Sequence, residues 1–271
     1  MRKWFATVVL CAISLVSLRA DITVIQTMTM EGAAAAMMPP GQLPKTTMRI
    51  KGMKSRADIE AGGVTVTAIT DLTSKQVIML MADSKTAQVM TPGSVAAGGT
   101  SVAVPQIDMS LKPTGKTQVI DGASCAEHTF TFSMDMATMG GAQVPPEAAA
   151  AMNDNKMVMK GSIWIAKDAP GAAEWMAFTK AAIDSHLLTA VSGMKPGQPG
   201  GLDKLLEASA AAPGLPYLTE VTMRFEGTGP MIEVMNKMGD MKMTQKITSV
   251  TTGPISDDIF KVPEGYTIEK K

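Results

Sequence analysis

"KTTMRIKGMKSRADIEAGGVTVTAITDLTSKQVIMLMADSKTAQVM", residues 45 to 90, decides the fold class, because its apolar residues alternate instead of recurring every third or fourth position. Met48 and Ile50 share one face, Ala57 and Ile59 share another, and Val64, Val66 and Ala68 do the same. Period-two alternation is the mark of a half-buried antiparallel strand. Gly62 and Gly63, then "DLTSK" at 71 to 75, supply turns too short for helical crossovers. The stretch therefore reads as a strand meander.

Outward from this segment the pattern continues. "EHTFTFS" at 127 to 133 sets His128, Phe130 and Phe132 on one side. "KMVMKGSIWIAKD" at 156 to 168 does so with Met157, Met159, Ile163 and Ile165, and "EVTMRFEG" at 220 to 227 with Val221, Met223 and Phe225. The exception is "DAPGAAEWMAFTKAAIDSHLL", 168 to 188, where Trp175, Phe178, Ala182 and His186 recur at spacings of three or four. That spacing predicts an amphipathic helix, started by Asp168 and Pro170. Four segments rich in Ala, Gly, Met and Pro (31–44, 91–106, 135–155 and 192–201) read as loop insertions, since strands of the same character resume after each.

The first twenty residues predict a secretory signal peptide: Arg2 and Lys3, an apolar run to Leu18, and Ala20 before the cleavage point. That run is shorter than the roughly 20 residues of a membrane-spanning helix, and the mature chain shows no transmembrane segment. A single mature domain over 21–271 with a periplasmic or secreted location is expected. Without the signal, 22 basic and 25 acidic residues remain and no basic stripe offers itself to nucleic acid. Cys125 is then the remaining cysteine, so no internal disulfide supports the fold.

Methionine dominates the apolar set, with 24 beyond Met1 against 11 leucines in the mature chain. "MIEVMNKMGDMKM", 231 to 243, puts Met231, Met235 and Met238 on one helix face and Met241 and Met243 on one strand face. Thioethers at such spacings suit Cu(I), so Met235, Met238, Met241 and Met243 form an alternative metal set. Enrichment across the whole chain favours flexible apolar packing instead, with no cofactor. His128 and His186 read as histidines tucked against the core, and Cys125 as a structural thiol, since Cys125 and His128 fall on opposite faces of a regular strand. Ser124 lacks the second glycine of a nucleophile elbow, and Asp257 and Asp258 read as a solvated turn. Catalysis is not indicated.

In order, the residue 45–90 meander, "GKTQVIDGASC" at 115 to 125, "WIAKD" at 164 to 168 and "FKVPEGY" at 260 to 266 resemble the bacterial cell-envelope family catalogued as domain of unknown function 4412. That family is similar in layout to LolA-like lipoprotein carriers. The resemblance implies an α+β fold in which a strongly curved antiparallel sheet, a half barrel, is covered by one or more helices. The function expected beside that fold is a non-enzymatic exported envelope protein, with a lipid or lipoprotein acyl chain as partner. The expected apolar wall between sheet and helix comprises Met48, Ile50, Ile163, Ile165, Trp175, Phe178 and Met223. Cu(I) binding and a ligand-free envelope scaffold stand as the alternatives.

Overall fold

The computed structural model describes residues 20–32, 35, 42–92, 107–136, 155–187, 212–237 and 239–270. The signal-peptide stretch and most of the four loop insertions lie outside them. The strands are β1 (Ile22–Glu31), β2 (Lys45–Lys51), β3 (Lys54–Ala61), β4 (Val64–Asp71), β5 (Gln76–Met81), β6 (Thr86–Met90), β7 (Ile107–Ile120), β8 (Ala123–Asp135), β9 (Lys156–Ala166), β10 (Leu215–Glu226), β11 (Met241–Thr252) and β12 (Thr267–Lys270). Helices α1 (Ala172–Asp184) and α2 (Pro230–Lys237) follow β9 and β10, and a 3-10 turn spans Asp257–Phe260.

All twelve strands join one sheet in the order β12-β6-β5-β4-β3-β2-β1-β11-β10-β9-β8-β7, antiparallel throughout except for the β12–β6 pair. Strand β1 sits near the middle, paired with β2 on one side and β11 on the other. Two meanders therefore run outward from it, β2 to β6 and β11 back to β7. The tight turns of the first meander follow from its glycines and from lysines in left-handed backbone, such as Gly63 (φ 80) before β4 and Lys75 (φ 54) before β5.

This architecture corrects the expected half barrel. The sheet is broad, open and not strongly curled, and α1 lies over only part of it, mainly against β2 and β10 with its start on β1. The physical reason is visible in the first meander, which is apolar on both faces and so cannot serve as the outer wall of a half barrel. On the α1 side, Ile22, Val24, Ile50, Val77, Cys125, Leu215 and Ile247 pack with Ala172, Phe178 and Ala182. On the reverse side, Ile69, Leu80 and Ala87 are covered by Phe260, with Ile255, Ile259, Val262 and Tyr266 around it.

The segment carrying Phe260 crosses the reverse face as a strap. Lys51 Nζ donates to the Ile255 carbonyl at 2.8 Å, Arg56 Nη1 to the Ile259 carbonyl at 2.9 Å, and the Ile255 amide to the Asp21 carboxylate at 2.7 Å. Arg56 is itself oriented by Asp58, which also accepts from Arg49 and from Thr67 Oγ1 at 2.6 Å. Burial pushes the Asp58 carboxyl up, but hydrogen bonds from Arg56, Thr67 and Arg49 and the Arg56 charge outweigh it and hold it below the ordinary carboxylate range. Asp257 and Asp258, read from the sequence as a solvated turn, open the 3-10 turn and are exposed; Asp257 pairs with Lys51 at 3.2 Å and Asp258 with Lys261 at 2.7 Å.

The predicted helix forms, but Asp168 and Pro170 do not start it. Gly171 is its N-cap residue, in left-handed backbone (φ 76) without a side-chain cap. A Cβ there would lie 2.3 Å from Ile22 Cδ1, so only glycine lets the helix start press onto β1. His186 is also corrected: it lies past the helix end in left-handed backbone (φ 49) and is exposed, while Leu187 takes the buried position.

Candidate functional site

Residues directly opposite one another in an antiparallel ladder share a face. Following that rule from β8 to β11 assembles an apolar surface that the linear sequence does not display. Phe132, Met159, Met223 and Met241 form one continuous row across β8, β9, β10 and β11. The next row is Phe130, Gly161, Val221 and Met243, reaching Met30 on β1. His128 and Ile163 then lead through Thr219 and Gln245 to Met28, while Met134, Met157 and Phe225 lie on the far side of the first row.

The opposite face is hydrophilic in its two central rows, flanked by buried Val158 at one end and by Trp164 and Leu218, which join the α1 cluster, at the other. The two rows read Thr129, Ser162, Glu220, Thr244, Thr29 and Thr131, Lys160, Thr222, Lys242, Glu31. A sheet with one oily and one charged face must cover the oily one or offer it to something. Here coverage is partial: apart from Met157 at 8% exposure, the methionines and phenylalanines of these rows are half-buried. Along β1 the same face begins at Ile22 and Val24, sealed under α1, and continues by steps of two to Met28 and Met30.

Gly161 holds this surface together. A Cβ at that position would fall 1.9 Å from the Glu220 carbonyl oxygen and 3.0 Å from Phe130 Cε1. Strand β10 therefore approaches closely and the Phe130 ring lies beside the bare backbone. His128 closes the apolar surface with an anomaly, because its Nδ1 is buried and has no hydrogen-bond partner among the described residues. Helix α2 is anchored by Ile232, 2% exposed, and Met235 lies three residues on, half-buried.

The expected wall residues divide. Met48, Ile50, Trp175 and Phe178 do meet, in the packed cluster between sheet and α1, with Ile50 at 2% and Phe178 at 9% exposure. Met223 and Ile163 belong to the methionine rows instead. Ile165 is buried beside Gly214, where an added Cβ would lie 2.6 Å from its Cγ2. Of the alternative metal set, Met241 and Met243 share the strand face, Met235 is on α2, and Met238 lies outside the described residues. What the one-strand reading missed is that Met159, Met223 and Met241 stand side by side; only the register of three strands reveals it.

A cavity of about 460 Å³ lies at the start of α1, lined by Asp121, Ser124, Asp168, Tyr217, Ile247 and Ser249 among others, and none of the seven wall candidates borders it. Lys246 reaches the Asp121 carboxylate at 3.0 Å. Nearby, burial pushes the Cys125 thiol up, and Asp121 adds to it, although a backbone hydrogen bond from Ile120 works against both. Burial likewise raises Tyr217. A thiol held protonated in this way is a poor nucleophile. Among the described residues no three His, Cys, Asp or Glu side chains group to hold a metal ion, and no helix is long and apolar enough to cross a membrane.

No family model matches the chain, and no curated protein matches it. Among solved structures it is similar to an uncharacterized conserved protein from Thermus thermophilus, at 7% identity and a TM-score of 0.40 over 94% of this chain and 92% of that one. It is also similar to PNGF-II in two crystal forms, at 11% and 12% identity and a TM-score of 0.37, spanning about a third of that protein. Likeness of this size leaves fold and function to be argued from the chain's own residues.

Proposed function

We propose that the protein is a non-enzymatic, exported cell-envelope protein that holds an acyl chain or comparable apolar ligand against the methionine and phenylalanine face of β8 to β11. The observation that carries this reading is the half-buried row from Phe132 to Met241, set beside a charged reverse face. Thioether side chains are unbranched and adjust to irregular apolar shapes, which suits a ligand without fixed form.

Magnitudes restrict the ligand. Each methylene removed from water contributes about 0.8 kcal/mol, so eight buried methylenes gain about 6 kcal/mol. Association itself costs roughly 4–15 kcal/mol. With a cost near the middle of that range, about 10 kcal/mol, net binding requires about thirteen buried methylenes or more, so a short chain fails where a long one binds. Native mass spectrometry of protein extracted from the cell envelope should show an adduct of acyl-chain mass, and palmitate should bind where octanoate does not. Val221→Asp, which places a carboxylate in the middle of the face, should remove the adduct. A clean apo mass from every extraction would overturn the proposal.

A further inference from the structure

The methionines of the two meanders differ in a way composition hides. In β2 to β6, Met48 stands opposite Ala57 and Val24, Met79 opposite Ala68 and Gln88, and Met90 opposite Val77. Among the described residues, no methionine of that half faces another across a ladder. In β8 to β11 and β1, Met159 faces Met223, Met223 faces Met241, Met134 faces Met157 and Met243 faces Met30. Sulfur is thus concentrated in one region, although methionine is spread over the whole chain.

We propose that Met159, Met223 and Met241 form a binding site for one Cu(I) ion. Directly opposed residues on neighbouring strands have Cβ atoms about 4.5–5.5 Å apart, so thioethers on the two outer strands are long enough to lean toward Met223 and bring three sulfurs together above the middle strand. Soft thioethers select Cu(I) over harder cations. The charged residues of the two adjoining rows, Glu220, Lys160, Lys242 and Glu31, belong to the opposite face, so a hard divalent ion finds no carboxylate from these rows here. All three methionines are half-buried, which leaves the sulfurs within reach of solvent, and the hydrogen-bonded ladders on both sides of β10 fix their spacing before any metal arrives. Met243 and Met30, one row along, provide the nearest further thioethers.

The site does not rest on acyl binding, and one substitution separates the two. Leucine keeps the face apolar but removes the soft donor. The test is anaerobic titration of the full mature protein with Cu(I) against a colorimetric Cu(I) chelator, followed by X-ray absorption of the loaded protein. We expect one equivalent held through a sulfur-only shell, at least tenfold weaker binding in Met223→Leu, and loss in the triple variant Met159→Leu, Met223→Leu, Met241→Leu. A control triple, Met48→Leu, Met79→Leu, Met90→Leu, should bind as the unaltered protein does. Equal affinity in the two triples, an unaffected Met223→Leu, or a nitrogen and oxygen shell would each overturn the site. Circular dichroism and urea unfolding, both retained in the thioether triple, show that the sheet persists while the metal is lost.

Discussion

Strands β2 to β6 carry buried apolar residues on both faces: Ile50 and Val77 on the α1 side, and Ile69, Leu80 and Ala87 under Phe260 and its strap, with Ile59, Val64 and Met81 exposed at the outer end. Strands β8 to β11 have no equivalent strap among the described residues. They turn Thr, Lys and Glu outward on one face and leave Phe130, Phe132, Met159, Val221 and Met223 half-buried on the other. The same period-two pattern thus yields a two-sided core in one half and a one-sided surface in the other. The difference is made by residues 253–266, which return after β11 to the reverse face of the first half, so stability is expected to concentrate there and binding in the second half.

The largest test of that division is Phe260→Ala. It removes a ring at 7% exposure from a small cluster with few atoms able to collapse into the gap. A loss of about 3 kcal/mol is expected in urea unfolding, with faster amide exchange in β12, whose Thr267 amide donates to the Lys85 carbonyl at 2.8 Å. Phe132→Ala in the other half should cost less than half as much. Equal losses would mean that the two halves are sealed alike.

Next comes the ionic cluster beneath the strap. Asp58→Ala leaves Arg49 and Arg56 together without their shared carboxylate and loosens the hold of Arg56 on Ile259. Side-chain exposures of 33% and 22% for the two arginines let water replace part of the loss, so about 2 kcal/mol is expected, below the roughly 3–5 kcal/mol of a fully buried pair. The pH dependence has a definite sign. A carboxyl whose folded pKa is depressed contributes stability that is complete above its unfolded pKa, about pH 4, and lost as pH falls through the lower folded value. The gap between unaltered protein and Asp58→Ala should be flat at neutral pH and shrink only in acid; a gap that closed between pH 6 and 8 would remove Asp58 as its source.

Which parts of this were legible in the sequence follows from the range of the forces involved. Alternation in residues 45–90 is local, so β2 to β6 and their turns could be read directly, as could the Trp175 to Ala182 stripe. Strand order is not local: nothing near Ile22 says that β1 will join two meanders, and nothing near Phe260 says which face it will cover. The expected wall failed for the same reason. Met48 and Met223 alternate identically in their own strands, yet one is packed near α1 and the other lies in the methionine rows. Helix capping was misjudged at Asp168 because the deciding contact, Gly171 on Ile22, joins positions 149 apart. The row Met159, Met223, Met241 needs three registers at once, and each register is set by turns and bulges rather than by the methionines.

The finest test compares two valines of the same chemistry. Val77 on β5 is 6% exposed in the sealed half, while Val221 on β10 is half-buried beside Gly161 and Met243. Threonine has nearly the same shape as valine but carries a hydroxyl, which costs about 1.5 kcal/mol where it is buried without a partner and almost nothing where water reaches it. Val77→Thr should therefore lower the unfolding free energy by about 1.5 kcal/mol and Val221→Thr by about 0.5 kcal/mol or less in ligand-free protein. With palmitate bound, water leaves the second site, so the hydroxyl penalty should reappear there as weaker ligand binding. If Val221→Thr were as costly as Val77→Thr before any ligand is added, the methionine face would already be sealed, and the second half would be a core like the first.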